Sequence, residues 1–308
     1  MEKVLVFGHK SPDTDSICST LAMANLQTKL RGEEVIPCRL GELNEETKYA
    51  LKYFEVEAPK FIEKVEEGQN VILVDHNEFS QSVDGIENAK IIAVVDHHRI
   101  NNFQTSEPLF YYAQPVGCTA TILLELFKAN NIEIEPKIAG LMLSAIISDT
   151  LLFKSPTCTE QDKEIAKKLA KIAGVDIESY GKEMLKAGTD ISDFTPFQVI
   201  NIDSKEFNDK NAKFEISQVN AVDLDSVFSR QSELEDAINK EIKEKNLDFY
   251  MFAATDILNA NSKIIAIGNK ADTVEKAFGV NLENNTAMLN NVVSRKKQML
   301  PNILNNLN

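Results

Sequence analysis

Apolar and polar residues alternate in blocks along the first part of the chain. Short apolar runs rich in β-branched residues predict strands at 4–7, 35–38, 71–75 and 91–96. Between and after them, apolar residues at helical spacing predict helices at 14–31, 44–54, 119–129, 136–148 and from Thr159 to Gly174. Strands that are apolar on both faces are typical of a parallel sheet, so this region is predicted to be an α/β domain with helices on both faces of the sheet.

The pattern changes after a short segment of small, polar and helix-breaking residues at 188–193. Beyond it, strands are predicted at 213–219, 249–255 and 264–267, and helices at 231–245 and 272–278. We therefore predict a first domain at 1–188, a linker at 189–194 and a smaller α+β domain at 195–308. The Asn-rich end at 302–308 is predicted to be frayed.

Composition narrows the function classes. The chain has 308 residues, 43% of them hydrophobic, and a formal net charge of −14. This negative charge repels nucleic acid, so nucleic acid is not expected as a partner. No apolar run approaches the roughly 20 residues of a membrane-spanning helix, so a membrane is not expected either. Residues 1–3 enter the first strand without a signal-peptide pattern, which predicts a cytoplasmic location. Reduced thiols are expected for the four widely spaced cysteines, Cys18, Cys38, Cys118 and Cys158.

All four histidines lie beside aspartates where predicted strands end. The three runs are GHKSPDTD at 8–15, VDHNE at 74–78 and VDHHR at 95–99. Because the carboxyl ends of parallel strands meet at one edge of the sheet, ligand sites of open α/β sheets are built there. Histidine and aspartate together are typical metal ligands, so the runs predict a metal centre at this edge.

Several of these residues also have an ordinary structural interpretation. Asp13 or Asp15 could simply cap the following helix, and His76 is expected to be a buried structural histidine. His97 and His98 point different ways in an extended chain, so one is expected to bind a metal and the other the substrate. Asp149 ends an apolar helix, where it opposes the helix dipole; a bound cation would offset this cost, and an Asx-turn is the alternative.

The candidate ligands supply four carboxylates and two imidazoles: His9, Asp13, Asp15, Asp75, His97 and Asp149. These are too many hard ligands for one ordinary zinc site, and the set has no sulfur. It suits two divalent cations that share a carboxylate and lie about 3.5–4 Å apart. Oxygen-rich shells with histidine suit manganese, although affinity alone would favour zinc or copper.

A basic run stands out in the second domain of this acidic chain. It reads SRKK at 294–297 and includes Arg295 and Lys296. Arg offers a bidentate fork for phosphate oxygens and Lys a point charge, so the run is a candidate phosphate site. A solvated basic turn is the alternative, and Lys205 is a further candidate that carries no signal by itself.

In their order and spacing, the runs GHKSPDTD, VDHNE, VDHHR, SDT and SRKKQ closely resemble the manganese-dependent (family II) inorganic pyrophosphatases of the DHH phosphoesterase superfamily. The resemblance covers essentially the whole chain, with no departure at the motif positions. VDHHR by itself indicates only the superfamily, whereas SRKKQ is more selective. No insertion interrupts the stretch from Asp75 to Asp149, so the form with nucleotide-binding CBS domains is not expected.

The resemblance implies a role for each candidate. One metal would be held by His9, Asp13 and Asp75. The other would be held by Asp15, Asp75, His97 and Asp149, so that Asp75 bridges the two. Pyrophosphate would be bound by His98, Lys205, Arg295 and Lys296. Asp96 would orient the histidines, and the family's homodimer would form through the N-terminal domain.

The expected reaction is hydrolysis of pyrophosphate to two orthophosphates by a water or hydroxide that bridges two Mn²⁺ ions. Co²⁺ is a possible substitute, and an additional Mg²⁺ is expected to arrive with the substrate. The metal-ligand candidates and the phosphate-binding Arg and Lys residues are predicted in different domains. The site is therefore expected in the interdomain cleft, which would close on the substrate.

Two other functions compete with this interpretation. The first is a nuclease or nucleotide phosphoesterase of the same superfamily. Those relatives usually carry a Gly-Gly motif, whereas this chain has 12 glycines and no Gly-Gly pair. The second is a metal-dependent sensor without turnover, which the complete set of ligands and phosphate-binding cations disfavours.

Overall fold

The computed structural model describes residues 3–209 and 211–307. Residues 1 and 2 of the predicted direct entry into the first strand, and Asn308 of the Asn-rich end, therefore lie outside the described residues. The chain divides into two compact units, Met1–Gly188 and Thr189–Asn308.

The first unit is built on a six-stranded, wholly parallel sheet in the order β3-β2-β1-β4-β5-β6. Its strands are β1 Val4–Phe7, β2 Val35–Arg39, β3 Lys60–Phe61, β4 Asn70–Val74, β5 Lys90–Asp96 and β6 Phe110–Ala113. Its helices are α1 Thr14–Arg31, α2 Glu45–Tyr53, α3 Thr119–Ala129, α4 Pro136–Thr150, α5 Glu160–Ala173 and α6 Ile177–Gly188. This is the parallel α/β arrangement that the apolar strand pattern predicts.

Local sequence signals explain where these helices begin and end. The Asp13 side chain caps α1 by accepting a bond from the backbone of Ser16, and Gly32 ends that helix in a left-handed conformation. Thr159 and Asp162 form a capping box at the start of α5. Polar groups therefore fix the lengths of the helices, while the buried central strands supply the core.

The second unit contains a five-stranded mixed sheet in the order β11-β10-β9-β8-β7, in which β8 and β9 are parallel and the other pairs antiparallel. Its strands are β7 Ser204–Asn208, β8 Lys213–Ala221, β9 Phe249–Asp256, β10 Asn261–Gly268 and β11 Thr286–Asn290. Its helices are α7 Pro196–Asn201, α8 Leu224–Phe228, α9 Gln231–Lys245, α10 Asp272–Phe278 and α11 Leu300–Asn306, with a π-helical turn at Arg295–Met299. Apolar clusters cover both faces of the sheet.

The prediction of a frayed Asn-rich end was wrong. Leu300–Asn306 is a helix, and Ile303 and Leu307 are buried in the same apolar cluster as Phe249 of β9. The asparagines hide the pattern because only two of the last residues face the core. A second difference concerns α4, which continues to Thr150 rather than ending at 148.

Among the described residues, no helix combines the length and the apolar character needed to cross a membrane. The described cysteines are all free thiols, as predicted.

The buried end of the chain gives a stability prediction. We expect Ile303→Ala to lower the free energy of unfolding by about 2–5 kcal/mol, because it leaves a cavity in the core of the second unit. Leu304→Ala is the matched control, since that neighbouring side chain is 41% exposed and its loss should cost about 0.5 kcal/mol or less. Urea unfolding followed by circular dichroism measures both. Equal stability of the two variants would contradict the buried helix.

Candidate metal centre

The metal-ligand candidates of the first unit meet at the carboxyl ends of three adjacent strands. β1 pairs with β4, and β4 pairs with β5, so the residues that follow these strands lie side by side. β1 and α1 come close together here, because Gly8 has no side chain: a Cβ at this position would lie 1.9 Å from Ser16 Oγ. The sheet order therefore brings together groups from remote parts of the sequence.

Asp75 lies at the centre of this cluster and is fully buried. Its two carboxylate oxygens face different histidines: Oδ2 lies 3.5 Å from His9 Nε2, and Oδ1 lies 3.3 Å from His97 Nε2. Its backbone adopts a left-handed conformation with φ of 59°, which is uncommon for a residue other than glycine. The carboxylate is thus held where each oxygen can serve a separate ion.

A first group of possible ligands comprises His9, Asp13 and Asp75, whose ligand atoms all lie within 4.8 Å of one another. Asp13 Oδ2 lies 3.5 Å from His9 Nε2, while Asp13 Oδ1 accepts the capping bond from the backbone N–H of Ser16. One carboxylate therefore both caps α1 and faces the cluster, so the two interpretations of Asp13 are compatible.

A second group comprises Asp15, His97 and Asp149. His97 Nε2 lies 3.9 Å from Asp15 Oδ2 and 3.8 Å from Asp149 Oδ2. Asp149 belongs to the last turn of α4 rather than following it, because this helix continues to Thr150. The carboxylate remains at the negative end of the helix, where a nearby cation stabilises it.

The adjacent histidines have different partners. The Nδ1 of His97 lies 3.0 Å from the carbonyl oxygen of Val116, which leaves Nε2 directed at the carboxylates. The Nδ1 of His98 lies 2.9 Å from Asp96 Oδ1, and its side chain is 53% exposed. Asp96 therefore orients His98, whereas the Val116 carbonyl orients His97, which corrects the expectation that Asp96 orients both.

His76 has a structural environment, as expected. It is buried, with Nδ1 at 2.9 Å from the Val74 carbonyl oxygen and Nε2 at 3.1 Å from Ser82 Oγ. Burial lowers the pKa of this histidine, so it is neutral near pH 7.

The cluster perturbs the titration of its members strongly. Burial acts to lower the pKa of His9 and of His97, but hydrogen bonds to the neighbouring carboxylates outweigh it and raise the two values to about 10 and about 9. Burial and the charge of Asp75 raise the pKa of Asp15 to about 7. Burial and the charges of Asp15 and Asp75 raise the pKa of Asp149 well above its usual range. Burial also disfavours ionised Asp75, yet the two histidines hold its pKa well below the usual range.

These shifts describe a cluster with an excess of buried negative charge. Crowded carboxylates that protonate near neutral pH, and imidazoles that keep their protons, are both ways to neutralise buried negative charge. Divalent cations would do the same, and the donor set of carboxylate oxygens and imidazole nitrogens fits manganese. With one Asp75 oxygen beside each group, the residues fit two ions that share this carboxylate.

Thr119, the first residue of α3, also contacts the cluster but was not predicted from the sequence. Its backbone N–H donates to Asp15 Oδ2 at 2.7 Å, and its hydroxyl donates to Asp75 Oδ1 at 3.1 Å. The only signal was a threonine at the start of a predicted helix, which occurs at many helix ends without any functional role.

The phosphate candidates of the second unit meet near one residue of β8. Lys205 on β7 pairs in register with Ile216, whose carbonyl oxygen lies 3.5 Å from the Arg295 guanidinium. That guanidinium also donates to Asp203, through the backbone carbonyl and, at 2.8 Å, through Oδ1. Lys205 and Lys296 are exposed. This unit therefore presents several cations in one neighbourhood, with Arg295 held by hydrogen bonds.

The chain is similar to known protein families, to related proteins and to a solved structure. The profile of the DHH family, N-terminal domain, matches residues 3–146, and that of the DHHA2 domain matches residues 182–306. A probable manganese-dependent inorganic pyrophosphatase of Bacillus cytotoxicus is 60% identical over 302 residues, which cover 98% of this chain and 97% of that protein. A manganese-dependent inorganic pyrophosphatase of Bacillus subtilis is 58% identical with the same coverage. The crystal structure of a putative family II inorganic pyrophosphatase of Methanococcus jannaschii is 43% identical, covers 99% of both chains and gives a TM-score of 0.62.

The pKa shifts predict how the metal-free protein responds to alkali. His9 and His97 have pKa values above the ordinary 6.5, so their protonated forms stabilise the fold, and this stability is lost as pH rises through about 9 to 10. We expect the thermal midpoint of the metal-free protein to fall between pH 7 and 10.

Asp75→Asn is the informative variant for this prediction. It removes a charge that raises both pKa values, so the loss of stability above pH 6.5 should be smaller and should end at a lower pH. NMR titration of the histidine ring protons reports the pKa values directly. Ordinary pKa values for both residues in the metal-free wild type would contradict the prediction.

Proposed function

The chain belongs to the family of manganese-dependent inorganic pyrophosphatases, and on this basis we propose that it hydrolyses pyrophosphate to two orthophosphates at a dinuclear manganese site. It is a hydrolase of the inorganic pyrophosphatase class. The observation that carries the proposed dinuclear site is the position of Asp75, with one oxygen beside His9 and the other beside His97. This arrangement supports a carboxylate shared between two ions.

The proposed ligand sets follow from the two groups around this carboxylate. His9, Asp13 and Asp75 would hold one ion, and Asp15, Asp75, His97 and Asp149 the other. When bound, a pair of divalent cations supplies the Lewis acidity that makes a shared water nucleophilic near neutral pH. Co²⁺ would substitute on the same donor set, and an additional Mg²⁺ would accompany the substrate.

The chain's own polar groups would bind and orient pyrophosphate. His98 is exposed beside the cluster, and its Nδ1 is bonded to Asp96, so its Nε2 can face a phosphate oxygen. Arg295, Lys296 and Lys205 would neutralise the charge that develops on the transferred and departing phosphates. Because Asp203 already fixes the Arg295 guanidinium, little of its freedom would be lost when phosphate binds.

The two sets of groups belong to different units of the chain. The carboxylates and the proposed ions belong to the first unit, and the phosphate-binding cations to the second. These opposite charges support separate roles for the two sets, as metal ligands and as phosphate-binding groups.

We further propose a cytoplasmic homodimer formed through the N-terminal domain. The exposed edge strand β6 supports this proposal, because its backbone is available for pairing and Phe110 at its start is 50% exposed. The ring of Phe110 stacks on that of Tyr112, which adds apolar surface along this edge.

The decisive experiment combines metal content with turnover. We expect the purified protein to bind two Mn²⁺ per chain and to release phosphate from pyrophosphate, most rapidly with Mn²⁺ or Co²⁺ among Mn²⁺, Co²⁺, Mg²⁺ and Zn²⁺. Asp75→Ala should abolish both metal loading and activity, because it removes a ligand from each ion. Asp176→Ala is the control, since that exposed carboxylate is bonded to Ser179 instead. Near-normal turnover by Asp75→Ala would refute the bridging role, and preferential cleavage of a dinucleotide would refute the substrate.

Arg295→Ala tests the proposed phosphate-binding cations separately from the metals. We expect it to keep two Mn²⁺ per chain but to lose about 10²–10³ in kcat/KM, because a donor to the developing phosphate charge is missing. Lys297→Ala is the matched control, as a neighbouring exposed cation of the same basic run without a proposed role. Steady-state kinetics at saturating Mn²⁺ measures the loss. Full activity of Arg295→Ala would refute the proposed role of Arg295 in binding phosphate.

A further inference from the structure

Thr119 connects two carboxylates of the metal centre through two different groups. It is fully buried at the first position of α3. Its backbone N–H donates to Asp15 and its hydroxyl to Asp75, at 2.7 and 3.1 Å. Asp15 lies in the first turn of α1, whereas Asp75 directly follows β4. A single residue thus fixes the distance and the relative orientation of both carboxylates.

The start of α3 explains why the backbone group is available. Cys118, the N-cap residue, makes no side-chain capping bond, so the N–H group of Thr119 needs another acceptor. Asp15 is that acceptor, and a carboxylate is favourable at the positive end of a helix dipole. The helix is therefore capped by a residue of the metal centre itself.

The segment that enters α3 is anchored on its other side as well. Asp162 accepts the backbone N–H of Gly117 at 2.9 Å. The carbonyl oxygen of Val116, in the same segment, lies 3.0 Å from His97 Nδ1. Residues 116–119 therefore join a rigid structural carboxylate to three members of the metal centre.

The hydroxyl of Thr119 matters because the carboxylate torsion of Asp is soft. The χ2 angle of aspartate has a broad, roughly two-fold preference, so the rotamer alone does not fix which oxygen faces which histidine. The bond from Thr119 to Oδ1 restrains that rotation, with Oδ2 remaining beside His9 and Oδ1 beside His97. A carboxylate that bridges two ions needs this orientation before the ions bind.

We propose that Thr119 is a positioning residue that orients the bridging carboxylate of Asp75 for its two ions. This inference rests on the proposed dinuclear site. Residues that hydrogen-bond to metal ligands typically contribute about 10–100-fold to metal affinity, which sets the size of the expected effect.

Thr119→Val is the test variant, because it removes the hydroxyl at nearly constant shape and keeps the backbone bond to Asp15. Thr119→Ser restores a hydroxyl and is the rescue. Thr121→Val is the matched control: it makes the same substitution at a fully buried position of the same helix, but its hydroxyl donates to Asp162 rather than to a carboxylate of the metal centre.

The readout is binding of Mn²⁺ to the full-length metal-free proteins, from the electron paramagnetic resonance signal of free Mn²⁺. We expect Thr119→Val to bind Mn²⁺ about 10–100-fold more weakly, with Thr119→Ser near the wild type. Thr121→Val should melt at a lower temperature and keep the wild-type affinity. Pyrophosphate hydrolysis by Thr119→Val should recover as Mn²⁺ is raised.

Three results would overturn the proposal. Wild-type Mn²⁺ affinity in Thr119→Val would show that the hydroxyl does not orient the carboxylate. Equal losses of affinity in Thr119→Val and Thr121→Val would assign both residues to the folding of α3. A wild type that binds fewer than two Mn²⁺ per chain would refute the dinuclear site itself, and the role of Thr119 with it.

Discussion

Burial of the Asp75 carboxylate between two histidines is the interaction on which the metal centre depends. An ionised carboxylate removed from water is costly unless it is paired and hydrogen-bonded, and here two imidazoles and the Thr119 hydroxyl meet that need. Asp15 and Asp149 add further carboxylates, and burial together with their negative neighbours raises the pKa of both. The fold therefore concentrates negative charge at one place, where bound cations would offset it.

The parallel sheet brings these groups together because its three adjacent strands β1, β4 and β5 end at the same edge. The backbone of Asp75 is strained at this edge: its left-handed conformation costs about 1–3 kcal/mol and persists where surrounding contacts enforce it. In the second unit, the edge strand β7 and the turn at Arg295 place the phosphate-binding candidates near Ile216. The metal-ligand candidates and the phosphate-binding candidates therefore belong to two different compact units.

Long elements with regular apolar patterns could be predicted from the sequence with nearly correct bounds, as α1, α3 and α9 illustrate. The spacing of their apolar residues is a local property of the sequence. The short strand β7 and the edge strand β6 were not predicted, because their residues are largely exposed and carry little apolar pattern. The final helix was missed for a related reason: its burial depends on a partner surface formed by distant strands.

The sequence by itself determined which ligand types are present and that the histidines and Asp75 follow strands, because hydrophobic pattern and residue identity can be read along the chain. It could not determine which oxygen of Asp75 faces which histidine, nor that Thr119 reaches two carboxylates, since these depend on strand order and on the entry of α3. Likewise, only the folded second unit joins Asp203 to Arg295, which are far apart in the chain. Local chemistry selects the groups, and long-range packing sets the distances between them.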